Sequence, residues 1–181
     1  MKHPRSTLFS TSALLLLFCF CSPQSEKSET LFVKHLAQKS GITFQNDLTE
    51  GPNTNVLMYE YFYNGGGVAL ADFNGDQRLD IYLTSNMQTN KMYLNQGDFQ
   101  FQDITALSKT EGRSGPWKTG VTAVDINGDS RMDLYVCYSG AVKENSRRNQ
   151  LFLNMGNDNN GIPTFTEVAK LYGLDSPAYS N

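Results

Sequence analysis

The chain has 181 residues, with 15 Lys and Arg against 18 Asp and Glu, for a formal net charge of −3. So small a charge, with no basic stripe, excludes a nucleic-acid surface. Fifteen Gly, frequent Asn and Asp, and little helical periodicity favour an all-β, turn-dense fold.

Residues Met1 to Ser22 have the form of an export signal. Lys2 and Arg5 give a basic start, and Leu8 to Phe20 is an apolar run too short for a membrane-spanning helix, which needs about 20 apolar residues. No small-x-small cleavage site is evident. Cys19 and Cys21 close the run, and the polar segment Ser22 to Thr30 follows. This resembles a lipoprotein box, with 1–21 as the signal region, cleavage before Cys21 and acylation of Cys21. Cys19 is the alternative, and Phe18 or Phe20 stands where a small residue is usual. Residues 22–30 then form a disordered tether. The expected location is the outer membrane or surface of a Gram-negative cell, held to the membrane by the lipid anchor only. One cysteine remains, Cys137, which cannot form an internal disulfide. Its setting in Leu134 to Tyr138 predicts a buried free thiol.

The most informative feature is a nonapeptide written twice. Asp72-Phe-Asn-Gly-Asp-Gln-Arg-Leu-Asp80 returns 53 residues later as Asp125-Ile-Asn-Gly-Asp-Ser-Arg-Met-Asp133. Apolar runs enter and leave both copies. A period near 50 residues marks propellers and solenoids. Oxygen-bearing side chains at positions 1, 3, 5 and 9 suit a hard cation such as Ca2+, which takes roughly 6 to 8 oxygen ligands. The first set is Asp72, Asn74, Asp76 and Asp80 with the carbonyl of Arg78. The second is Asp125, Asn127, Asp129 and Asp133 with the carbonyl of Arg131. An EF-hand is excluded, because position 12 holds Leu83 or Val136 rather than Glu. Position 6, where a left-handed backbone favours Gly, holds Gln77 and Ser130. The competing reading is a plain Asn-Gly hairpin turn. The repeated acidic spacing favours calcium, since a hairpin does not require Asp at positions 1, 5 and 9.

These loops resemble those of the FG-GAP/VCBS repeat proteins, which include the calcium-binding blades of integrin alpha chains. Tyr61-Phe-Tyr-Asn-Gly-Gly-Gly-Val-Ala, Asn90-Lys-Met-Tyr-Leu-Asn-Gln-Gly and Trp117-Lys-Thr-Gly-Val-Thr-Ala-Val-Asp are similar to large bacterial surface lipoproteins that often carry an ASPIC/UnbV domain. The resemblance covers roughly Leu31 to Asn181. It implies a β-propeller, commonly of seven blades, with calcium in loops between strands of a blade.

The expected architecture is all-β: a partial β-propeller of about two blades, as a fragment of a seven-bladed ring. Blade 1 is expected at about 64–112, blade 2 at about 117–174, and the start of a third at about 175–181. In blade 1, strands are expected at Val68–Ala71, Ile81–Thr84, Lys91–Asn95 and Phe99–Thr105. In blade 2 they are expected at Val121–Val124, Leu134–Tyr138, Gln150–Asn154 and Phe165–Val168. Leu94-Asn95-x-Gly97 and Leu153-Asn154-x-Gly156 mark the same turn. Leu31 to Ile42, Phe101 to Gly112 and Phe165 to Leu174 are each expected to be an outer strand and a helical turn ending at Gly.

Strand alternation would put Tyr59, Tyr61 and Tyr63 on one face, either to stack a sugar ring or, as favoured, to pack in the core. Trp117 is a binding anchor or a partly buried loop residue. Arg147 and Arg148 suit a solvated loop, and His35 a structural or exposed position. No nucleophile stands beside a base, so no catalytic constellation is found. Two functions from different classes remain. The first is a calcium-binding surface module for a protein or glycan partner. The second is part of a propeller enzyme such as a calcium-dependent polysaccharide lyase, for which Lys118, Lys143 and Arg147 are the only loop cations. The remaining propeller blades are expected to lie outside this chain.

Overall fold

The computed structural model describes residues 31–115 and 117–180. The expected signal, the Cys21 anchor and the tether lie outside the described residues. The chain divides into two compact units after Val33. Leu31, Phe32 and Val33 are exposed and form no strand.

The second unit, from Lys34, is built on two four-stranded antiparallel sheets, each in sequential order. The first contains β1 (Val68–Ala71), β2 (Asp80–Leu83), β3 (Lys91–Gly97) and β4 (Gln100–Asp103). The second contains β5 (Lys118–Val124), β6 (Asp133–Tyr138), β7 (Gln150–Asn157) and β8 (Pro163–Glu167). This is an all-β fold with the blade pattern of a partial β-propeller.

Period-2 alternation decides which face each strand buries. In β1, Ala69 and Ala71 are buried while Val68 and Leu70 are exposed. Ala69, Ala71, Tyr82, Met92 and Leu94 of the first sheet join Leu134, Val136, Tyr138, Phe152 and Phe165 of the second in one hydrophobic cluster. The core therefore lies between the sheets. At about 25 cal/mol per Å² of apolar surface, this burial is the main force joining them.

Gly66 and Gly67, in the run Asn64-Gly65-Gly66-Gly67, have a steric cause. A Cβ on Gly66 would sit 1.9 Å from the Thr84 carbonyl oxygen, and one on Gly67 would sit 2.7 Å from the Val121 amide nitrogen. Only glycine lets the strand lead-in come so near. The Gly67 N–H donates to Thr119 O at 2.7 Å and ties the sheets together at that end.

Several expectations change. Among the described residues, no strand precedes α1 (Ala37–Ser40), although Gly41 ends it in the left-handed conformation at φ 78°. Helix α2 (Thr105–Ser108) is ended by Lys109 at φ 62°, not by Gly112. Residues 169–173 form turns rather than helix. Strand β5 starts at Lys118 instead of Val121, because an irregularity in its pairing with β6 extends it. Tyr59 to Tyr63 is a series of turns, with Phe62 N–H donating to Tyr59 O at 2.9 Å and Asn64 N–H to Tyr61 O at 3.0 Å. Period-2 alternation therefore does not apply there. Phe62 is buried, while Tyr61 and Tyr63 are exposed.

Arg147 and Arg148, at the end of α3 (Glu144–Arg147), are clamps rather than solvated cations. Arg147 Nε donates to Pro177 O at 3.1 Å, and Arg148 Nη1 to Asp175 Oδ2 at 3.0 Å. They hold residues 175–180 against the second sheet, where Thr119 Oγ1 also donates to Ser180 O at 2.8 Å.

Candidate functional site: the paired acidic loops

Each nonapeptide bridges two antiparallel strands, β1 to β2 and β5 to β6. The two loops make the same seven hydrogen bonds. Asp72 Oδ1 accepts from the N–H groups of Gly75 at 2.7 Å and Asp76 at 3.1 Å, and Oδ2 accepts from Gln77 at 2.8 Å. Asp125 accepts likewise from Gly128, Asp129 and Ser130 at 2.8, 3.1 and 2.9 Å. Asn74 Oδ1 accepts from Asp76 N–H, and Asp76 Oδ1 from Arg78 N–H. Asn127 and Asp129 do the same toward Asp129 and Arg131. Position-1 Asp thus organises the whole turn by capping three consecutive amides, as Asp does in Asx-turns.

Position 9 is different in kind. Asp80 and Asp133 are fully buried, and each joins the start of its own loop to the neighbouring hairpin. Asp80 Oδ2 accepts from Phe73 N–H at 2.9 Å and Oδ1 from Asn95 N–H at 2.8 Å. Asp133 takes Ile126 N–H at 3.0 Å and Asn154 N–H at 2.7 Å. Burial pushes the Asp80 carboxyl up to about 6, against the opposing pull of the two N–H donors. A buried carboxylate is costly unless it is paired or fully hydrogen-bonded.

Position 6 is left-handed in both loops, at φ 69° for Gln77 and 66° for Ser130, and Gly75 and Gly128 at position 4 lie at φ 80° and 75°. The loop geometry therefore keeps the turn that a position-6 Gly would suit, and places non-glycine residues in it. At position 5, Arg131 Nη2 reaches Asp129 Oδ2 at 2.5 Å, and Arg78 lies 3.6 Å from Asp76. The Asp129 carboxyl is held below its usual range, first by the Asn127 side-chain amide and then by the Arg131 N–H.

Among the described residues, no group of three or more His, Cys, Asp or Glu gathers closely enough to hold a metal ion. The carboxylates are turned onto the loop's own amides and arginines. The donor set itself fits a hard cation. It is oxygen throughout, with three carboxylates and one amide per loop, and only the position-5 carboxylate has a guanidinium to release.

Residues outside the nonapeptides complete the site. Asn95 and Asn154, recognisable in sequence only as turn markers, lock position 9 from the neighbouring hairpin. Besides the N–H that each gives to the buried Asp, Asn95 Nδ2 donates to Leu79 O at 2.9 Å and Asn154 Nδ2 to Met132 O at 3.2 Å. Their Oδ1 atoms accept from Gly97 and Gly156. The repeated Asn-x-Gly is the signal that pointed to them.

The other singled-out residues fall elsewhere. Trp117 is 3% exposed, packed against Phe62 and Tyr59. Lys118 is a buried strand residue, not a loop cation, and its Nζ donates to Arg113 O and Gly115 O at 3.3 and 3.0 Å. Burial, and then the nearby Arg113 charge, bring it down to about 8. Cys137 is a free, half-buried thiol. His35 stacks on Phe99 with ring centroids 4.6 Å apart.

Residues 72–136 match the model of the FG-GAP-like repeat family. The match begins at the first acidic loop and runs through the second into β6. It supports reading the duplicated loop-and-strand unit as FG-GAP repeats of a propeller-like module. No curated protein matches the chain. Among the described residues, no helix is long and apolar enough to cross a membrane.

Proposed function

We propose that the chain is a calcium-stabilised binding module of the β-propeller type, displayed at the cell surface through a lipid on Cys21. The observation that carries the calcium reading is the identical set of seven hydrogen bonds in two loops 53 residues apart, built on the same oxygen side chains. The same acids recur at positions 5 and 9 of both copies, where they also accept loop and hairpin N–H groups, and three carboxylates in one loop repel each other until a cation offsets them.

Asp72, Asn74, Asp76, Asp80 and the Arg78 carbonyl would hold the first ion. Asp125, Asn127, Asp129, Asp133 and the Arg131 carbonyl would hold the second. Calcium supplies charge neutralisation and cross-links each turn. The chain's own hydrogen bonds pre-form the turn, and its carboxylates would turn from those amide and guanidinium partners toward the ion. Affinity is expected on the order of 10⁻⁴–10⁻³ M, as for extracellular modules.

Calorimetric titration of the full chain should show two calcium sites, and one after Asp76→Ala or Asp129→Ala. Two sites in both variants, or none in the wild type, would overturn the assignment. For the anchor, labelled fatty acid should enter the wild type and be lost in Cys21→Ser. Label lost instead in Cys19→Ser moves the anchor, and no label in the wild type removes it.

A further inference from the structure

At the ends of the sheets remote from the acidic loops, a second constellation stands apart from any calcium ligand. The strand directions fix this placement. Strand β5 runs from Trp117 and Lys118 toward the second acidic loop, and β6 returns from it to Tyr138 and Ser139. Seven strand residues at about 3.3 Å each separate the two ends by roughly 20 Å.

There a cleft of about 410 Å³ is lined by Tyr59, Glu60, Tyr61, Ser139 and Tyr179, with Met58 and Ala141. A smaller cavity of about 30 Å³ adjoins Tyr59 and Ala141 and is lined by Trp117. The walls are aromatic and held in place. Tyr59 meets Tyr61 edge-on at 5.8 Å and Trp117 edge-on at 5.5 Å. The Arg147 guanidinium lies 4.4 Å from the centre of the Tyr179 ring and is itself fixed by the carbonyls of Val142 and Pro177. Tyr61 and Tyr179 are 43% and 63% exposed, so their rings are open to a ligand.

The polar atoms here are the anomaly. The Tyr59 hydroxyl, the Trp117 Nε1–H and the Ser139 hydroxyl are buried with no hydrogen-bond partner among the described residues. Ser139 is 1% exposed and Trp117 3%. Native structures rarely leave such groups unpaired, because burial strips them of the hydrogen bonds they make to water. Three of the four unpaired buried atoms found in the described residues belong to this one cluster. That is the signature of a site whose partner is supplied from outside.

The chemistry of that partner follows from the lining. Tyrosine rings accept an apolar ring face. The Tyr59 and Ser139 hydroxyls, which can both donate and accept, suit a ligand edge bearing hydroxyl groups. Glu60 lines the cleft, and no basic side chain does, so an anionic ligand is disfavoured. A ring with an apolar face, a hydroxyl edge and no charge is a pyranose. The volume falls within the range of small-ligand sites, about 300–1,000 Å³. We propose that this cleft binds a neutral pyranose unit of a glycan, with Tyr61 and Tyr179 as stacking walls and Ser139 as a hydrogen-bonding floor. This rests on the reading of the chain as a binding module, and it names that module's ligand class and site.

The test uses the full chain on an array of neutral oligosaccharides (glucose, galactose, mannose and N-acetylglucosamine oligomers), beside uronate-containing oligosaccharides and a peptide library. Binding to at least one neutral class is expected, with affinity reduced tenfold or more in Tyr61→Ala and Tyr179→Ala. Ser139→Ala separates binding from folding. It removes an unpaired buried hydroxyl, so its melting temperature should be unchanged or higher while its glycan affinity falls severalfold. Calcium stoichiometry, measured on the same variants, should stay at the wild-type value. No neutral glycan bound by the folded protein, preference for uronates or peptides, or binding that survives both tyrosine changes would overturn the cleft assignment. Intact calcium binding alongside such a result would leave the calcium reading standing, and loss of calcium binding alone would sink that reading instead.

Discussion

The side-chain amide of Asn154 donates to the carbonyl of Phe73 at 2.9 Å, across 81 residues of chain. The second repeat thereby holds the first repeat's acidic loop. Asn157 Nδ2 adds a bond to Asn74 O at 2.7 Å, and the Phe73 ring meets Phe165 of β8 edge-on at 6.0 Å. One residue thus serves both loops, because the same Asn154 gives its backbone N–H to Asp133 and its amide to Met132 O. Asn95, its counterpart in the first repeat, reaches only its own loop.

Asn154→Ala should therefore destabilise the fold by about 1–3 kcal/mol, since it leaves the buried Phe73 carbonyl without its donor and also removes the part-buried bonds to Met132 and Gly156. Asn95→Ala should cost less, about 0.5–1.5 kcal/mol, because its partner Leu79 is exposed. Urea denaturation of both variants checks the ordering. Equal costs would mean that the link between repeats contributes nothing.

The left-handed conformation at Gln77 and Ser130 invites a second test. A non-glycine residue in that region loses roughly 1–2 kcal/mol to Cβ sterics, and glycine gives back about 0.5–1 through its greater freedom when unfolded. Both side chains are exposed and both backbone N–H groups are already bonded to the position-1 Asp. Gln77→Gly and Ser130→Gly should each stabilise the chain by about 0.5–1 kcal/mol, with alanine controls near neutral. Thermal melts in which glycine proves neutral or harmful would show that the strain is absent.

Much of this site was legible because it rests on local chemistry. The acidic nonapeptides, the strand pair that each one joins and the Asn-x-Gly turns follow from residue spacing, and β1 falls at the expected Val68–Ala71. What escaped depends on distant partners. An outer strand was expected within Leu31 to Ile42, but those residues pair with no strand among the described residues. Tyr59 to Tyr63 alternates in residue type, but its i, i+3 hydrogen bonds make it a run of turns that drives Phe62 inward instead. Arg147 and Arg148 look solvated in sequence, since the carbonyls and the Asp175 carboxylate that they clamp lie 27 to 30 residues away. Lys118 reads as a loop cation until the β5 pairing buries it.

Calcium should be linked to stability. An ion bound only by the folded state adds RT ln(1 + [L]/Kd), about 2.7 kcal/mol per site at 100 times Kd. Chelation should lower the melting temperature, and Asp72→Asn or Asp125→Asn should each reproduce about half of that loss while becoming less sensitive to chelator. Identical melts in calcium and in chelator would leave these loops as hairpin turns only.

Lys118 predicts a distinctive alkaline response. Its pKa is depressed to about 8 by burial and by Arg113, against an ordinary value of 10.5. Between those values the unfolded chain binds the proton that the folded chain has released, so stability rises with pH. The penalty of the buried charge is fully present below pH 8 and fades as pH approaches 10.5. Above pH 10 an opposite term enters. Burial pushes the Tyr138 phenol up to about 12, so the folded state then holds a proton that the unfolded state has lost. The melting temperature should climb from pH 7.5 to about 9.5 and fall beyond 10, with a gain on the order of 1–3 kcal/mol across the rise. Lys118→Met should flatten the rise, although it leaves the carbonyls of Arg113 and Gly115 without their donor. Melts collected from pH 7 to 11 at fixed calcium decide it. A wild-type profile that is flat or descending from 7.5 to 9.5 would mean that the Lys118 ammonium is solvated in the folded protein.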